Sequence, residues 1–158
     1  MNINIICIGK LKEKYWTAAI DEYSKRLGRY CTLKVIELPE SKLPANASQA
    51  DEKLVIEREG AAILAKVNDR DYAVALEVEG RLLSSEELAA AVSEASFNYS
   101  TIDFIIGGSL GLSDAVKKRA NLGWSMGRIT LPHQLARVVL LEQIYRAFKI
   151  NNNETYHK

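Results

Sequence analysis

Two hydrophobic patterns alternate along the chain. Short runs rich in β-branched and apolar residues predict strands at NINIICIG, TLKVIELP, YAVALEVEG and TIDFIIGG. Segments with apolar residues every three to four positions predict helices at KYWTAAIDEYSKRL, 51–67, SSEELAAAVSEASF, a short segment from Ser113, and HQLARVVLLEQIYRAFKI. Strands that alternate with helices predict an α/β fold with a largely parallel sheet. The chain has no internal repeat and no linker, so residues 1–158 are expected to form one domain.

Several element boundaries carry their own signals. Gly28 follows the apolar stripe of the first helix, and Pro39 stops the second strand. Ser84 and Glu87 have capping-box spacing, which predicts a helix start. Pro132 is placed to begin the last helix.

The last helix is apolar on nearly every side. Val138 and Val139 lie on one side, and Leu141 and Ile144 on another. Such a helix must be covered from both sides. In a small chain the second cover is expected to be another subunit, so a homodimer is predicted. Glu142 and Arg146, four positions apart, are expected to pair at the edge of that interface.

Composition is that of a soluble globular protein. The chain is 47% hydrophobic and 26% charged, and it has no apolar run of transmembrane length. The start MNINIICIGK lacks the features of a signal peptide, so a cytoplasmic protein without membrane association is expected. Cys7 and Cys31 have no metal-binding spacing, and Cys7 is predicted to be a core residue.

Charge is distributed unevenly. The net charge is +1 for the whole chain, but both ends are basic and the middle is acidic. If the fold brings the ends together, one basic face could bind nucleic acid. Solvated charges scattered over several faces are an equally good interpretation.

The segment GGSLG, residues 107–111, lies between a predicted strand and a predicted helix. This context fits a nucleophile elbow with Ser109, for which Glu142 and His157 are possible partners, but no oxyanion segment lies upstream. The segment does not match the dinucleotide fingerprint. A plain turn and a loop that approaches a ligand both remain open.

A second glycine segment, GWSMGRITLPHQ, follows closely. Two glycine loops, each beside a strand-like segment, favour a shared ligand crevice over unrelated turns. His133 and Arg137 lie one helical turn apart after this segment. The helix start disfavours a protonated imidazole, so His133 is either a base or a capping residue.

The motifs IGKLKEKYW, IIGGSLGL, LPHQLARVVLLEQIYRAFKI and the terminal YHK together resemble one family. It is the bacterial RlmH family of SPOUT-class methyltransferases, which act on 23S ribosomal RNA. The resemblance runs from residue 3 to the last residue. It implies an α/β-knot fold with a C-terminal trefoil knot, although the general rules of chain topology argue against knots.

The resemblance further implies a homodimer that uses S-adenosylmethionine as methyl donor, without a metal. It implies a donor site formed by Leu76, Gly107, Met126, Gly127, Arg128, Ile129, Thr130 and Leu131. It places the methyl group on N3 of a pseudouridine, with the assembled ribosome as preferred substrate. Under this interpretation Ser109 is a loop residue.

The resemblance also gives the end NNNETYHK a role, because chain ends are poorly ordered unless something holds them. His133 or His157 is expected to handle the N3 proton, with Tyr156 beside the target base. Residues expected to bind RNA phosphate are Lys10, Lys12, Lys14, Arg137 and Lys158. The remaining alternative, a non-catalytic RNA-binding module, lacks the stacked aromatic motifs of common RNA modules.

Overall fold

A five-stranded sheet forms the centre of the computed structural model, which describes residues 1–156. The elements in chain order are β1 (Asn2–Ile8), α1 (Lys14–Leu27), β2 (Thr32–Leu38), α2 (Gln49–Leu64), β3 (Tyr72–Leu82), α3 (Ser85–Asn98), β4 (Thr101–Ile106), α4 (Asp114–Arg119), β5 (Leu122–Ser125) and α5 (His133–Asn151). The strand order is β2-β1-β4-β3-β5, and every neighbouring pair is parallel. The predicted α/β fold with a parallel sheet is confirmed.

Side-chain caps explain where two of the helices begin. The predicted capping box at the start of α3 is present, with the Ser84 hydroxyl accepting from the Glu87 backbone N–H. Helix α2 begins earlier than the predicted residue 51, because Ser48 and Asp51 form a second capping box. Strand β5 is only four residues long. So short a segment has little hydrophobic periodicity, and the sequence therefore indicated only a strand-like segment beside the second glycine loop.

Helices cover both faces of the sheet. Successive strand residues point to opposite faces, so Ile5 and Phe104 pack with Ile144 under α1, α3 and α5. Ile6 and Ile105 face the other way, into a second cluster under α2 and α4. Strands buried on both faces have continuous apolar sequences, which accounts for the runs NINIICI and TIDFII.

Cys7 belongs to the first of these clusters and is completely buried, as predicted. Burial raises the pKa of its thiol to about 11. The thiol is therefore neutral at physiological pH and acts as a small apolar side chain.

Helix α5 packs between α1 and α3 with one face fully buried. Leu140 and Ile144 have no exposed surface, whereas Leu135 and Val139 on other sides of the helix are only half-buried. The homodimer that would cover this outer surface stays a prediction. Among the helices within residues 1–156, none has the length and apolar character needed to cross a membrane.

One buried acid lies inside the sheet. Asp103 on β4 has no exposed surface, and it accepts a hydrogen bond of 2.7 Å from the amide of Asn4. Burial raises the pKa of Asp103 to about 6, the Asn4 hydrogen bond opposes this, and the charge of Asp71 adds to it. The ordinary pKa of an aspartate is 3.8, so between pH 3.8 and about pH 6 Asp103 keeps its proton in the folded protein and loses it in the unfolded chain. Stability should fall as the pH rises through this window and level off above it.

Asp103→Asn should therefore stabilise the protein at neutral pH. The asparagine side chain has nearly the same shape as that of aspartate, and it is uncharged at every pH without having to bind a proton. The free energy of unfolding at pH 7.5 should rise by about 2 kcal/mol, with little change at pH 4. Urea unfolding between pH 4 and pH 8 measures this difference. Asp69→Asn, at an exposed position, is the matched control. An equal effect of Asp103→Asn at pH 4 and pH 7.5 would contradict the explanation.

Candidate functional site

A single cavity lies at the carboxyl ends of three adjacent strands. Strands β4, β3 and β5 are neighbours and parallel, so the loops that follow them leave the sheet at the same edge. These loops enclose a volume of about 760 Å³. Ligands of parallel α/β sheets bind at this edge, and cavities of roughly 300–1,000 Å³ suit small molecules. The shared crevice predicted from the two glycine segments is thus present as a cavity.

Most of the residues expected at the donor site line this cavity. They are Leu76, Gly107, Met126, Gly127, Ile129, Thr130 and Leu131. Arg128 is the exception: it does not line the cavity, and its guanidinium donates to the backbone carbonyl of Val78. Arg128 therefore braces the cavity wall, and its predicted place in the donor site stays a prediction.

The first glycine loop is too tightly packed for side chains. A Cβ on Gly107 would lie 2.8 Å from the carbonyl oxygen of Gly111, and one on Gly108 would lie 2.7 Å from a carboxylate oxygen of Glu59. Gly111 itself has a φ of +86°, which side chains disfavour. Glu59 lies almost fully buried behind the loop, and burial raises its pKa. At Gly107 and Gly108 a ligand would therefore meet the backbone of the loop, beside the side chain of Ser109.

A bulge in β3 forms the opposite wall. The register of β3 against β5 shifts after Leu76, and residues 77–80 form the irregular segment. The Ser125 hydroxyl lies 2.9 Å from the carbonyl oxygens of both Val78 and Gly127. One buried hydroxyl thus joins this bulge to the second glycine loop.

Three charged residues of the cavity wall, Glu77, Glu79 and Lys117, were missed in the sequence. Glu77 and Lys117 both line the cavity and form an ion pair of 3.6 Å. Glu77 follows Leu76 directly, so its position after the buried part of a strand was an available signal. Lys117 had no such signal, because only the packing of α4 against β3 brings it to the cavity.

The nucleophile elbow lacks its partners in the described part of the chain. Ser109 lines the cavity, but the Glu142 carboxylate accepts hydrogen bonds from Arg146, Gln143 and Tyr156. His157 lies outside residues 1–156. Ser109 is a loop residue in this geometry.

His133 lies at the cavity, at the first position of α5. It lines the cavity directly after Pro132, which is the N-cap residue. Its Nε2 atom would be 3.6 Å from a Cβ on Gly9, the residue that follows β1 and has a φ of +86°. His133 therefore lies between the cavity and the segment that connects β1 with α1.

Arg137 is a buried structural residue, which corrects its predicted role as a phosphate ligand. Only 1% of its surface is exposed. Its guanidinium donates to the carbonyl oxygens of Ile8 at 2.8 Å and Gly9 at 2.7 Å, and it pairs with Glu37 at 3.1 Å. Glu37 also accepts from the backbone N–H of Leu11 at 2.8 Å. Arg137 therefore fixes the β1–α1 segment and cannot reach an RNA phosphate from this position.

The three N-terminal lysines are all exposed. Lys10 and Lys12 lie in the β1–α1 segment, and Lys14 is the first residue of α1. They follow the carboxyl end of β1, which neighbours β4 in the sheet. Their predicted role in phosphate binding fits this exposure and stays a prediction.

The described part of the C-terminal tail is held against α5. The Tyr156 ring packs edge-on against Tyr145 at 4.9 Å, with the Arg146 guanidinium 4.7 Å from its centre. Its hydroxyl donates to Glu142 at 3.2 Å, and Glu142 forms the predicted ion pair with Arg146 at 2.6 Å. Burial, followed by the charge of Glu142, raises the pKa of Tyr156.

A clasp of three side chains fastens the tail just before Tyr156. Glu154 accepts from the Tyr30 hydroxyl at 2.9 Å and pairs with Lys149. These contacts lower the pKa of Glu154, with Lys149 as the largest cause. The tail is therefore ordered as far as Tyr156.

Within one chain, Tyr156 does not meet His133. Tyr156 contacts α5 at Glu142 and Tyr145, which lie about 14 Å and about 18 Å along the helix from His133 at about 1.5 Å per residue. The predicted catalytic residue His157 and the predicted phosphate ligand Lys158 lie outside the described residues.

The chain is similar to known proteins over its whole length. Proteins named ribosomal RNA large subunit methyltransferase H are 55% identical in Clostridium novyi, 54% in Leuconostoc mesenteroides and 52% in Streptococcus suis, in each case over the full length of both chains. A solved structure of a probable methylase family protein from Haemophilus influenzae has a TM-score of 0.59 at 16% identity. The match covers 99% of this chain and 70% of that one, and it shows a shared fold.

A family model described as a predicted SPOUT methyltransferase matches residues 1–157. Together with the relatives that match over their whole length, this match means that the chain belongs to the SPOUT methyltransferase family.

Proposed function

We propose that this protein methylates large-subunit ribosomal RNA with S-adenosylmethionine as donor. The observation that carries the proposal is the cavity at the carboxyl edge of the sheet, which all the implied donor-site residues except Arg128 line. The full-length relatives named ribosomal RNA large subunit methyltransferase H support the same activity. At finer detail, the proposed target is N3 of a pseudouridine in 23S ribosomal RNA, on the assembled ribosome.

The cavity fits a donor that is partly apolar and partly charged. Apolar side chains of Leu76, Ile106 and Leu131 line it, and the tightly packed glycine loops present backbone groups. Glu77 and Glu79 add two negative charges at the wall, and Lys117 adds one positive charge. When bound, the donor supplies a methyl group activated by a positively charged sulfonium, which needs no metal for its transfer.

The remaining requirements fall on the residues around the target base. They must align N3 with the methyl group and remove the N3 proton. Alignment can contribute up to roughly 7–11 kcal/mol, whereas a positioned base adds a factor of about 10²–10⁴. His133 at the cavity is one candidate for the proton, His157 is the other, and Tyr156 would hold the base.

A homodimer would explain how these groups meet. In one chain, Tyr156 contacts the middle of α5, whereas His133 lies at its first residue. The half-buried Leu135 and Val139 give α5 an outer apolar surface for a second copy. In the proposed dimer, the tail of one subunit completes the cavity of the other.

The proposed RNA contacts are the exposed lysines at positions 10, 12 and 14, together with Lys158. Lysine contacts to phosphate position an RNA without reading its sequence. Arg137 contributes indirectly, because it fixes the segment that carries two of these lysines.

Two further proposals rest on family membership. The first is a trefoil knot in the C-terminal part of the chain. The contacts of Ser125 and Arg128 with the Val78 carbonyl support it, since they bring the second glycine loop against the β3 bulge. The second is a cytoplasmic location, where ribosomes are the substrate.

The direct test is methyl transfer from labelled S-adenosylmethionine. Ribosomes that lack the modification and free 23S RNA are offered side by side, and the labelled nucleotide is identified after digestion. We expect label on one pseudouridine in the assembled particle only. Donor binding without transfer to either substrate would refute the substrate assignment, and the absence of donor binding would refute the cavity assignment as well.

Gly107→Ala should disrupt donor binding. The added Cβ would lie 2.8 Å from the Gly111 carbonyl oxygen, so the backbone of the loop must move. Isothermal titration calorimetry should show donor affinity at least 10-fold weaker, with the protein still folded. Gly28→Ala is the matched control, because Gly28 is exposed and helical, with its nearest neighbour at 3.4 Å. Equal donor affinity in both variants would contradict the role of this loop.

Alanine at His133 or His157 should separate the two candidates for proton removal. The variant that lacks the base should lose about 10²–10⁴ in kcat, whereas donor affinity should stay within a few-fold of the original. Single-turnover methylation across pH 6–9 measures the effect, since loss of the base also removes its step from the pH profile. Unchanged turnover in both variants would eliminate histidine catalysis.

A further inference from the structure

An exposed aromatic side chain lies among the N-terminal lysines. Tyr15 is the second residue of α1, and 65% of its surface is exposed. Its ring is tilted by 58° against that of Trp16, with ring centres 5.1 Å apart. Lys12 and Lys14, which precede it in the chain, are exposed as well.

The backbone that leads to Tyr15 is fixed beside the cavity. Arg137 holds the carbonyl groups of Ile8 and Gly9, and Glu37 holds the N–H of Leu11. Gly9 also lies against His133, which lines the cavity. The position of α1 relative to the cavity is therefore defined, although Tyr15 itself points to solvent.

This combination matches the chemistry of an unpaired nucleotide. Base stacking on an aromatic ring strengthens binding and tolerates any base, while neighbouring cations neutralise the phosphates. We propose that Tyr15 stacks on an unpaired RNA base near the methylated nucleotide and thereby positions the substrate loop. This inference rests on the proposed function and assigns it a further substrate-binding residue.

Charge decides between RNA and a second protein surface as the partner of Tyr15. Residues 10–14 carry three lysines and one acid, Glu13. Two copies of such a segment would repel each other, whereas a polyanion is attracted. The other strongly exposed aromatic residue, Phe97, lies on α3, whose sequence contains no lysine or arginine.

The test compares Tyr15→Leu with Tyr15→Phe. Leucine keeps an apolar side chain and removes the aromatic face, whereas phenylalanine keeps the face. Binding to unmethylated assembled ribosomes is measured in the presence of S-adenosylhomocysteine, so that no turnover is needed. We expect about 10-fold weaker binding for Tyr15→Leu and little change for Tyr15→Phe. Donor affinity should be equal in both variants.

Two control variants separate stacking from charge and from general surface effects. A plot of log affinity against log salt concentration should become shallower by nearly one unit in Lys12→Ala, because one counterion fewer is released on binding. Tyr15→Leu should leave that slope unchanged. Phe97→Leu should bind as the original protein does. Phe97 lies just before β4, and the length of this strand, about 20 Å, separates it from the cavity.

Three outcomes would overturn the inference. These are equal binding by Tyr15→Leu and Phe97→Leu, a reduced salt slope in Tyr15→Leu, and a changed oligomeric state of Tyr15→Leu in light scattering. The last would place Tyr15 in a subunit interface. If the original protein binds the particle in a Tyr15-dependent manner but transfers no methyl group, the proposed function fails while the stacking site stands.

Discussion

The parallel direction of all five strands is the constraint on which the rest of this structure depends. In a parallel sheet, every strand delivers its following loop to the same edge. Two glycine loops, the bulge of β3 and the lysine-bearing segment after β1 therefore gather on one side of the molecule. No single loop forms the cavity, and the catalytic potential arises from their convergence.

Close backbone packing then shapes what gathers there. Gly107 and Gly108 are enclosed by the Gly111 carbonyl and the Glu59 carboxylate, so at these two positions the loop can present only main-chain atoms. The Ser125 hydroxyl joins the β3 bulge to the second glycine loop by hydrogen bonds. Such a wall is preorganised, because its polar groups are fixed before any ligand arrives.

Buried charge has a separate role at the same edge. Arg137 is fully desolvated, and the carbonyl groups of Ile8 and Gly9 together with Glu37 compensate its charge. Removing one partner of such a group costs several kcal/mol, since the other stays buried. The arginine thus holds the β1–α1 connection in place, and the exposed lysines of that connection can bind a polyanion.

The sequence by itself determined the fold class, the capping box at Ser84 and the two glycine segments that line the cavity, because these depend on local periodicity and backbone preference. It also identified the family, whose motifs include the cavity residues of the first glycine loop and of the start of α5. Only the tertiary structure decided that Arg137 is buried, that Arg128 turns to the Val78 carbonyl, and that Lys117 reaches the cavity. A charged side chain has the same pattern in the sequence whether it faces solvent or a carbonyl group. Which of these it meets depends on elements far away in the chain, and therefore on packing alone.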